Sequence, residues 1–299
     1  MSAMAIALII TSTLLHAGWN SIGKRSATSA SFYMWATAAG MLIYSPLLFN
    51  VWSDVLAMPT RFWLLILASG LCQMVYLVGL AKAYQGGDLG VVYPLARALP
   101  VLIVPLLVLM AYGDTALSVA DVGAMALIFC GAMMVPVRRW REWHIKTYFT
   151  PAVGWAVVAA LGTAGYSFTD SAAIHLMRDA GFNAFEAGGA FAVVQAASIV
   201  LCMLPVSLLV LKEPVFAALF RQPQIKRSMF VTGLFAVGTY LLVLISMSMV
   251  TEVSYVVALR QLSIPIGVAI GIIWLKEGWH PNRLQGVVIM LVGLVFVSL

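Results

Sequence analysis

The sequence predicts an all-α membrane protein of ten transmembrane helices, arranged as two inverted five-helix repeats. Three observations lead there. The chain is 63% hydrophobic and only 9% charged, which excludes an ordinary soluble domain. Ten apolar stretches, each about as long as the ~20 residues of helix that cross a bilayer, run almost end to end. The two halves also share motifs in one register.

The stretches lie near 3–22, 30–50, 62–83, 90–112, 119–137, 151–173, 185–211, 228–249, 253–274 and 283–299. The first is read as a retained helix, because no Lys or Arg precedes Lys24 and a secretory signal needs a basic start. The fourth carries Pro94, Pro100 and Pro105 and the ninth carries Pro265, so both are expected to bend where a backbone hydrogen bond is lost. Glu186 opens the seventh, where a carboxylate suits a helix N-terminus. Gly267 and Gly271 have GxxxG spacing in the ninth. The segment Lys212 to Arg227 is expected to hold a short amphipathic surface helix.

Residues 1–137 form the first repeat, 138–150 a basic linker and 151–299 the second repeat. Ala17, Gly18 and Trp19 correspond to Ala164, Gly165 and Tyr166. GVVYPLAR, ending at Arg97, corresponds to VSYVVALR, ending at Arg260. In the same register Leu99 meets Leu262, Asp114 meets Glu277 and Gly123 meets Gly286. Five spans per repeat is odd, so the copies enter the membrane in opposite senses, as in many secondary transporters.

Loop charge sets orientation. One set of connectors holds Lys24, Arg25, Arg138, Arg139, Arg141, Lys146, Lys212, Arg221, Lys226, Arg227, Lys276 and Arg283. The alternate set holds little beyond Arg61 and Arg178. The first set is therefore cytoplasmic and both termini lie outside. The net charge of +6 reports this orientation, and no nucleic-acid partner is implied.

Ionisable groups at membrane depth are expensive and mark candidate sites. Arg97 and Arg260 lead, each about two turns into its helix, with forks suited to carboxylate or phosphate. The alternative is that each snorkels or caps carbonyls of a broken helix. His16 and Asn20 share a face of the first span beside Trp19, and Tyr166 and Asp170 share one on the sixth. His16 and Asp170 are the candidates for carrying a proton. Tyr76, Tyr93 and Gln261 complete the candidate binding set; Gln73, Lys82, Tyr84, Gln195, Tyr240 and Tyr255 are lesser candidates.

Enzyme signatures such as GxSxG, HExxH and GxxxxGK[ST] do not occur. No Cys/His cluster has metal-ligand spacing, so neither metal nor cofactor is expected. Cys72, Cys130 and Cys202 fall inside apolar spans and read as small hydrophobes.

The segments LLHAGWN at 14–20, AYQGGDLGVVYPLARALP at 83–100 and LKEG at 275–278 followed by Gly286 resemble the drug/metabolite transporter superfamily, in its ten-span EamA branch. The middle segment is the most specific. The resemblance implies a multi-pass exporter or exchanger of small metabolites in the bacterial cytoplasmic membrane, with the third, fourth, eighth and ninth helices lining a central cavity. Family members of known structure place both termini in the cytoplasm, against the loop charge here. Cation-exporting relatives use a first-helix glutamate; this chain has His16 and no acid there, which argues against lipophilic cations. Where near relatives carry a carboxylate after the second arginine, this chain has Gln261.

The function expected is secondary active transport of a small anionic or zwitterionic metabolite by alternating access, coupled to H+ or a counter-substrate, by a monomer or homodimer in the lipid bilayer. The alternatives are a flippase for lipid-linked or amphipathic solutes and a non-transporting scaffold.

Overall fold

Apolar side chains on every face of a helix, with all backbone groups paired within it, is the pattern a bilayer demands. The computed structural model of the chain describes residues 2–26, 29–86, 89–113, 117–135, 137, 149–217, 223–273 and 281–298, and no strand occurs among them. The helices are α1 (Ala3–Ser26), α2 (Ala30–Tyr44), α3 (Trp52–Leu56), α4 (Thr60–Gly86), α5 (Leu89–Tyr112), α6 (Val119–Met134), α7 (Pro151–Asp179), α8 (Ala184–Pro205), α9 (Pro223–Met247), α10 (Val253–Leu259), α11 (Ser263–Ile273) and α12 (Pro281–Ser298). Among the described residues six helical stretches are long and apolar enough to cross a membrane, at 30–56, 60–83, 94–112, 151–179, 184–210 and 226–247. Shorter apolar helices cover 3–16, 119–134, 253–266 and 281–297. This is a helical membrane protein. Leu64, Leu106, Met110, Leu201, Leu209, Val295 and Phe296 are exposed, as lipid-facing residues should be.

The principal packings are α4 on α7, α1 on α9, α6 on α12, α5 on α7, α2 on α8 and α9, and α8 on α4. Small residues permit the closest of them. A Cβ added at Gly162 of α7 would lie 2.6 Å from the Tyr76 nitrogen and 2.7 Å from the Cys72 carbonyl oxygen of α4. Where α2 crosses α9, one added at Gly233 would lie 2.1 Å from the Ala36 carbonyl oxygen.

Helix ends follow local chemistry. Asn183 caps α8, its Oδ1 accepting from the amides of Phe185 and Glu186 at 3.0 Å, and Glu186 closes a capping box by accepting from the Asn183 amide at 2.9 Å. Ser118 and Asp121 form the same device on α6. Glu186 is thus a capping residue.

The two proline-bearing stretches differ. α5 is one continuous helix with Pro94, Pro100 and Pro105 inside it. The ninth stretch is broken into α10 and α11 by a 3-10 turn at Arg260–Leu262. Pro265 has no N–H for the Gln261 carbonyl and its ring crowds that turn, while a side chain from α5 satisfies the neighbouring Arg260 carbonyl.

Of the segment Lys212 to Arg227, expected to hold a short surface helix, residues 218–222 lie outside the described residues. Lys212–Pro214 are non-helical, with Lys212 at φ 52°, and Lys226 and Arg227 belong to α9. Glu213 instead docks on the start of α2, accepting from the amides of Ala30 at 3.1 Å and Ser31 at 2.7 Å, and Trp35 Nε1 donates to the Val215 carbonyl at 2.9 Å. A carboxylate at a helix N-terminus satisfies free amides and complements the dipole. Residues 138–148 of the basic linker lie outside the described residues, as do Arg221, Lys276 and residues 218–220. The cysteines are free: Cys202 is buried, Cys72 half-buried and Cys130 exposed.

Candidate functional site: a buried polar centre

The middle of the bundle is polar. A cavity of about 90 Å³ is lined by His16 of α1, Thr37 of α2, Gln73 and Tyr76 of α4, Tyr166 of α7, Gln195 of α8, Thr239 and Tyr240 of α9 and Arg260 of the 3-10 turn, with Leu77, Ala192, Ala196, Ile199, Ala236 and Val237 between them. The lining comes from both halves of the chain. The space is small and only partly enclosed.

Arg260 is 7% exposed. Its Nη2 donates to the Tyr166 hydroxyl at 3.5 Å, and its guanidinium lies 5.3 Å from the centre of the Tyr240 ring. Tyr166 stands edge-on to Tyr76 and to Tyr240, with ring centres 5.8 Å and 5.5 Å apart. Three tyrosines thus form one wall, and the cation rests on their electron-rich faces and oxygens.

Asp170, one turn beyond Tyr166, is fully buried. The Tyr240 hydroxyl donates to its Oδ2, and Gln195 Nε2 donates to the same oxygen at 2.6 Å and to Ser69 Oγ at 2.7 Å. Tyr240 therefore touches the acid with its hydroxyl and the base with its ring.

Arg97, also 7% exposed, is not part of the cavity lining. Its Nη2 donates to the Arg260 carbonyl at 3.3 Å and to Ser263 Oγ at 2.9 Å. It reaches from α5 into the break between α10 and α11 and holds the turn that carries Arg260. The carbonyl-capping role weighed from sequence is the geometry Arg97 adopts.

The other candidates divide. His16, Tyr76 and Tyr166 line the cavity. Gln261 is buried, but its Nε2 donates to the Val257 carbonyl of its own helix at 2.9 Å. The side chains of Trp19, Asn20, Tyr93 and Tyr84 lie outside the described residues. Tyr255 donates to Asp121 at 3.2 Å, away from the cavity. Gln73, Gln195 and Tyr240, ranked low from sequence, are part of the lining. Ser69, Ser263, Thr37 and Thr239 gave no signal, because Ser and Thr are common packing residues in membrane helices. Among the described residues no group of three His, Cys, Asp or Glu is placed to hold a metal ion.

Fold and centre together define a class: a multi-span helical membrane protein with a charged, aromatic-walled cavity between its halves. A crystal structure of another protein matches all of this chain and 97% of its own length, at a TM-score of 0.71 and 16% identity, which establishes a shared fold. No family model and no curated protein sequence matches the chain.

Proposed function

We propose that the chain is a secondary transporter of a small organic anion or zwitterion, working by alternating access between two inverted repeats. The observation that carries this is the set of groups against Arg260. Among the described residues the buried acids are Asp170 and Glu252. Glu252 caps the start of α10, accepting from the Ser254 amide and hydroxyl, about 12 Å of helix rise from Arg260, and Asp170 accepts from Tyr240 and Gln195. The Arg260 guanidinium, on the cavity wall, is met by the Tyr166 hydroxyl and the Tyr240 ring. A buried charge is costly without a charged partner, and one anionic group on the solute would supply it.

The ten-span, two-repeat reading draws support from the pattern of packings. Pair the spans in order across the halves, with α10 and α11 together as the ninth. Exchanging halves then turns α4 on α7 into α9 on α1, α2 on α9 into α8 on α4, and α5 on α7 into the broken ninth span on α1. α6 on α12 and α2 on α8 map onto themselves. In this reading the six long and four shorter apolar helices all cross the membrane. The motifs at 14–20, 83–100 and 275–278 favour the EamA branch of the drug/metabolite transporters, in a bacterial cytoplasmic membrane.

Arg260 holds the anionic group, His16, Gln73 and Gln195 hold polar atoms, and Tyr76, Tyr166 and Tyr240 pack on the solute body. Arg97 positions Arg260. No catalytic role is assigned. The polar, two-sided lining favours transport over a scaffold role. Flux of labelled amino acids, carboxylates and phosphonates in proteoliposomes tests this. Saturable flux that disappears in Arg260→Ala is expected; rates equal to those of protein-free vesicles across the whole set would overturn it.

A further inference from the structure

We propose that Asp170 takes up one proton when an anion binds Arg260, and that the Tyr240 hydroxyl is the switch joining the two events. This rests on the reading of Arg260 as the anion's partner. Tyr240 is shared: its ring lies under the Arg260 guanidinium and its hydroxyl donates to Asp170 Oδ2. No direct Asp170–Arg260 hydrogen bond intervenes; the acid is balanced through the tyrosine and by the neutral donors Gln195 and Ser69.

The groups around Asp170 decide which can exchange a proton. Among the described residues α4 brings Cys72 and Tyr76, α5 brings Arg97, α9 brings Tyr240, and the turn after α10 brings Arg260; α8 brings the neutral Gln195, α7 itself brings Tyr166, and α1 adds His16 across the cavity. Only Asp170 is an acid. Arg97 is held off the cavity by its bonds to the Arg260 carbonyl and Ser263, so an anion seated on Arg260 would put two negative groups against the one guanidinium of the cavity wall, and like charges sharing a buried site cannot both stay ionised. Asp170 then accepts a proton from a hydronium ion in the cavity, leaving water. Protonated, the carboxyl becomes a donor to the Tyr240 oxygen, and the tyrosine hydrogen is freed to turn to the anion. Release of the anion reverses each step. One anion and one proton would thus bind and leave together, a neutral cargo for the membrane crossing.

Calorimetric titration of the purified full-length protein with benzenesulfonate, in pairs of buffers of different ionisation enthalpy, counts the protons taken up. A sulfonate stays ionised, so any proton belongs to the protein. Wild type is expected to take up about one proton per anion somewhere between about pH 5 and pH 8, and Asp170→Asn to bind without uptake. Tyr240→Phe, which keeps the ring under Arg260, is expected to weaken binding about tenfold, the loss of about one hydrogen bond, and to bring uptake well below one proton, because Asp170 without the tyrosine donor holds its proton already; uptake unchanged in Tyr240→Phe overturns the switch. Anion binding by wild type with no proton uptake across that range overturns the coupling and leaves the transport reading standing. Uptake that persists in Asp170→Asn overturns it too, in favour of His16. Should Asp170→Asn not fold, His16→Gln decides instead: uptake retained there is expected, and its loss overturns the assignment to Asp170. If neither benzenesulfonate nor methanesulfonate binds wild type, the anion site itself fails, and the coupling with it.

Discussion

Arg97 separates two roles that sequence alone leaves entangled, contact with solute and support of a broken helix. Replacement by methionine removes two charge-assisted hydrogen bonds, at 3.3 Å to the Arg260 carbonyl and 2.9 Å to Ser263 Oγ, while keeping much of the side-chain volume. Each such bond contributes about 1.5–3 kcal/mol net, and a buried carbonyl left without a partner costs about 1–3 kcal/mol. Relief from burying a guanidinium offsets part of this. A net loss of about 2–4 kcal/mol is expected, seen as a fall in apparent melting temperature on the order of 5–10 °C.

The assay is unfolding of the detergent-solubilised protein followed by tryptophan fluorescence, for wild type, Arg97→Met, Ser263→Ala and the double variant. Arg97 and Ser263 touch, so the double variant should lose less than the sum of the singles. Anion affinity should fall in Arg97→Met only as far as Arg260 is displaced, and Arg97→Lys should recover part of the stability with a single point donor. If Arg97→Met melts with wild type yet loses anion binding entirely, the support role is wrong and Arg97 touches the solute directly.

Gly162→Leu is expected to abolish the α4–α7 crossing, because its Cβ would meet Tyr76 nitrogen at 2.6 Å; overpacking of this kind costs about 1–3 kcal/mol or more, read as lost monodisperse protein in size-exclusion chromatography. Arg260→Lys keeps the charge but loses the planar fork, so KM for the transported anion should rise about tenfold, and an unchanged KM would show that charge alone suffices. A tag placed after Leu299 should be reached by impermeant antibody from outside intact cells, following the loop charges; labelling only after permeabilisation would reverse the orientation.

How far the sequence reached depends on how local each signal is. Apolar helix positions were legible because bilayer thickness sets helix length, six of them long enough to cross a membrane, and the starts of α6, α7 and α8 carry Ser118, Thr150 and Asn183 as their caps. Arg260, His16, Tyr76 and Tyr166 could be picked as polar residues at depth, where each is costly without a partner. What they face could not be read. Arg97 and Arg260 end the matching motifs GVVYPLAR and VSYVVALR, yet one supports and the other lines the cavity, because Pro265 follows the break between α10 and α11 and no break answers it in α5. Tyr240 looked like one of many membrane tyrosines; only the approach of α7 to α9 reveals it between Asp170 and Arg260. Glu213 was expected on a surface helix, and its capping of α2 depends on a contact 182 residues away in sequence.

In the transport reading this cavity must open to each side in turn, and the ties between halves indicate where. At the end bearing Lys24 and Lys212, the cytoplasmic end by loop charge, Glu213 accepts from Ala30 and Ser31 and Trp35 donates to Val215. At the opposite end Ser246 Oγ donates to the Ala5 carbonyl at 3.0 Å and the Tyr255 hydroxyl donates to Asp121 at 3.2 Å. Two amide bonds to the Glu213 carboxylate outweigh the single neutral Ser246 bond, about 1.5–3 kcal/mol each against about 1 kcal/mol. Losing Glu213 should therefore shift the population toward opening on the cytoplasmic side more than losing Ser246 shifts it outward. The comparison uses Thr37→Cys as a reporter in the cavity wall, with Cys72, Cys130 and Cys202 replaced by serine. Glu213→Ala should raise its labelling rate by a maleimide applied from the cytoplasmic face about tenfold, and Ser246→Ala should leave that rate near its starting value. Equal rates in the two variants would mean that neither tie governs access, and that the closed cavity is held by the α4–α7 and α1–α9 packings alone.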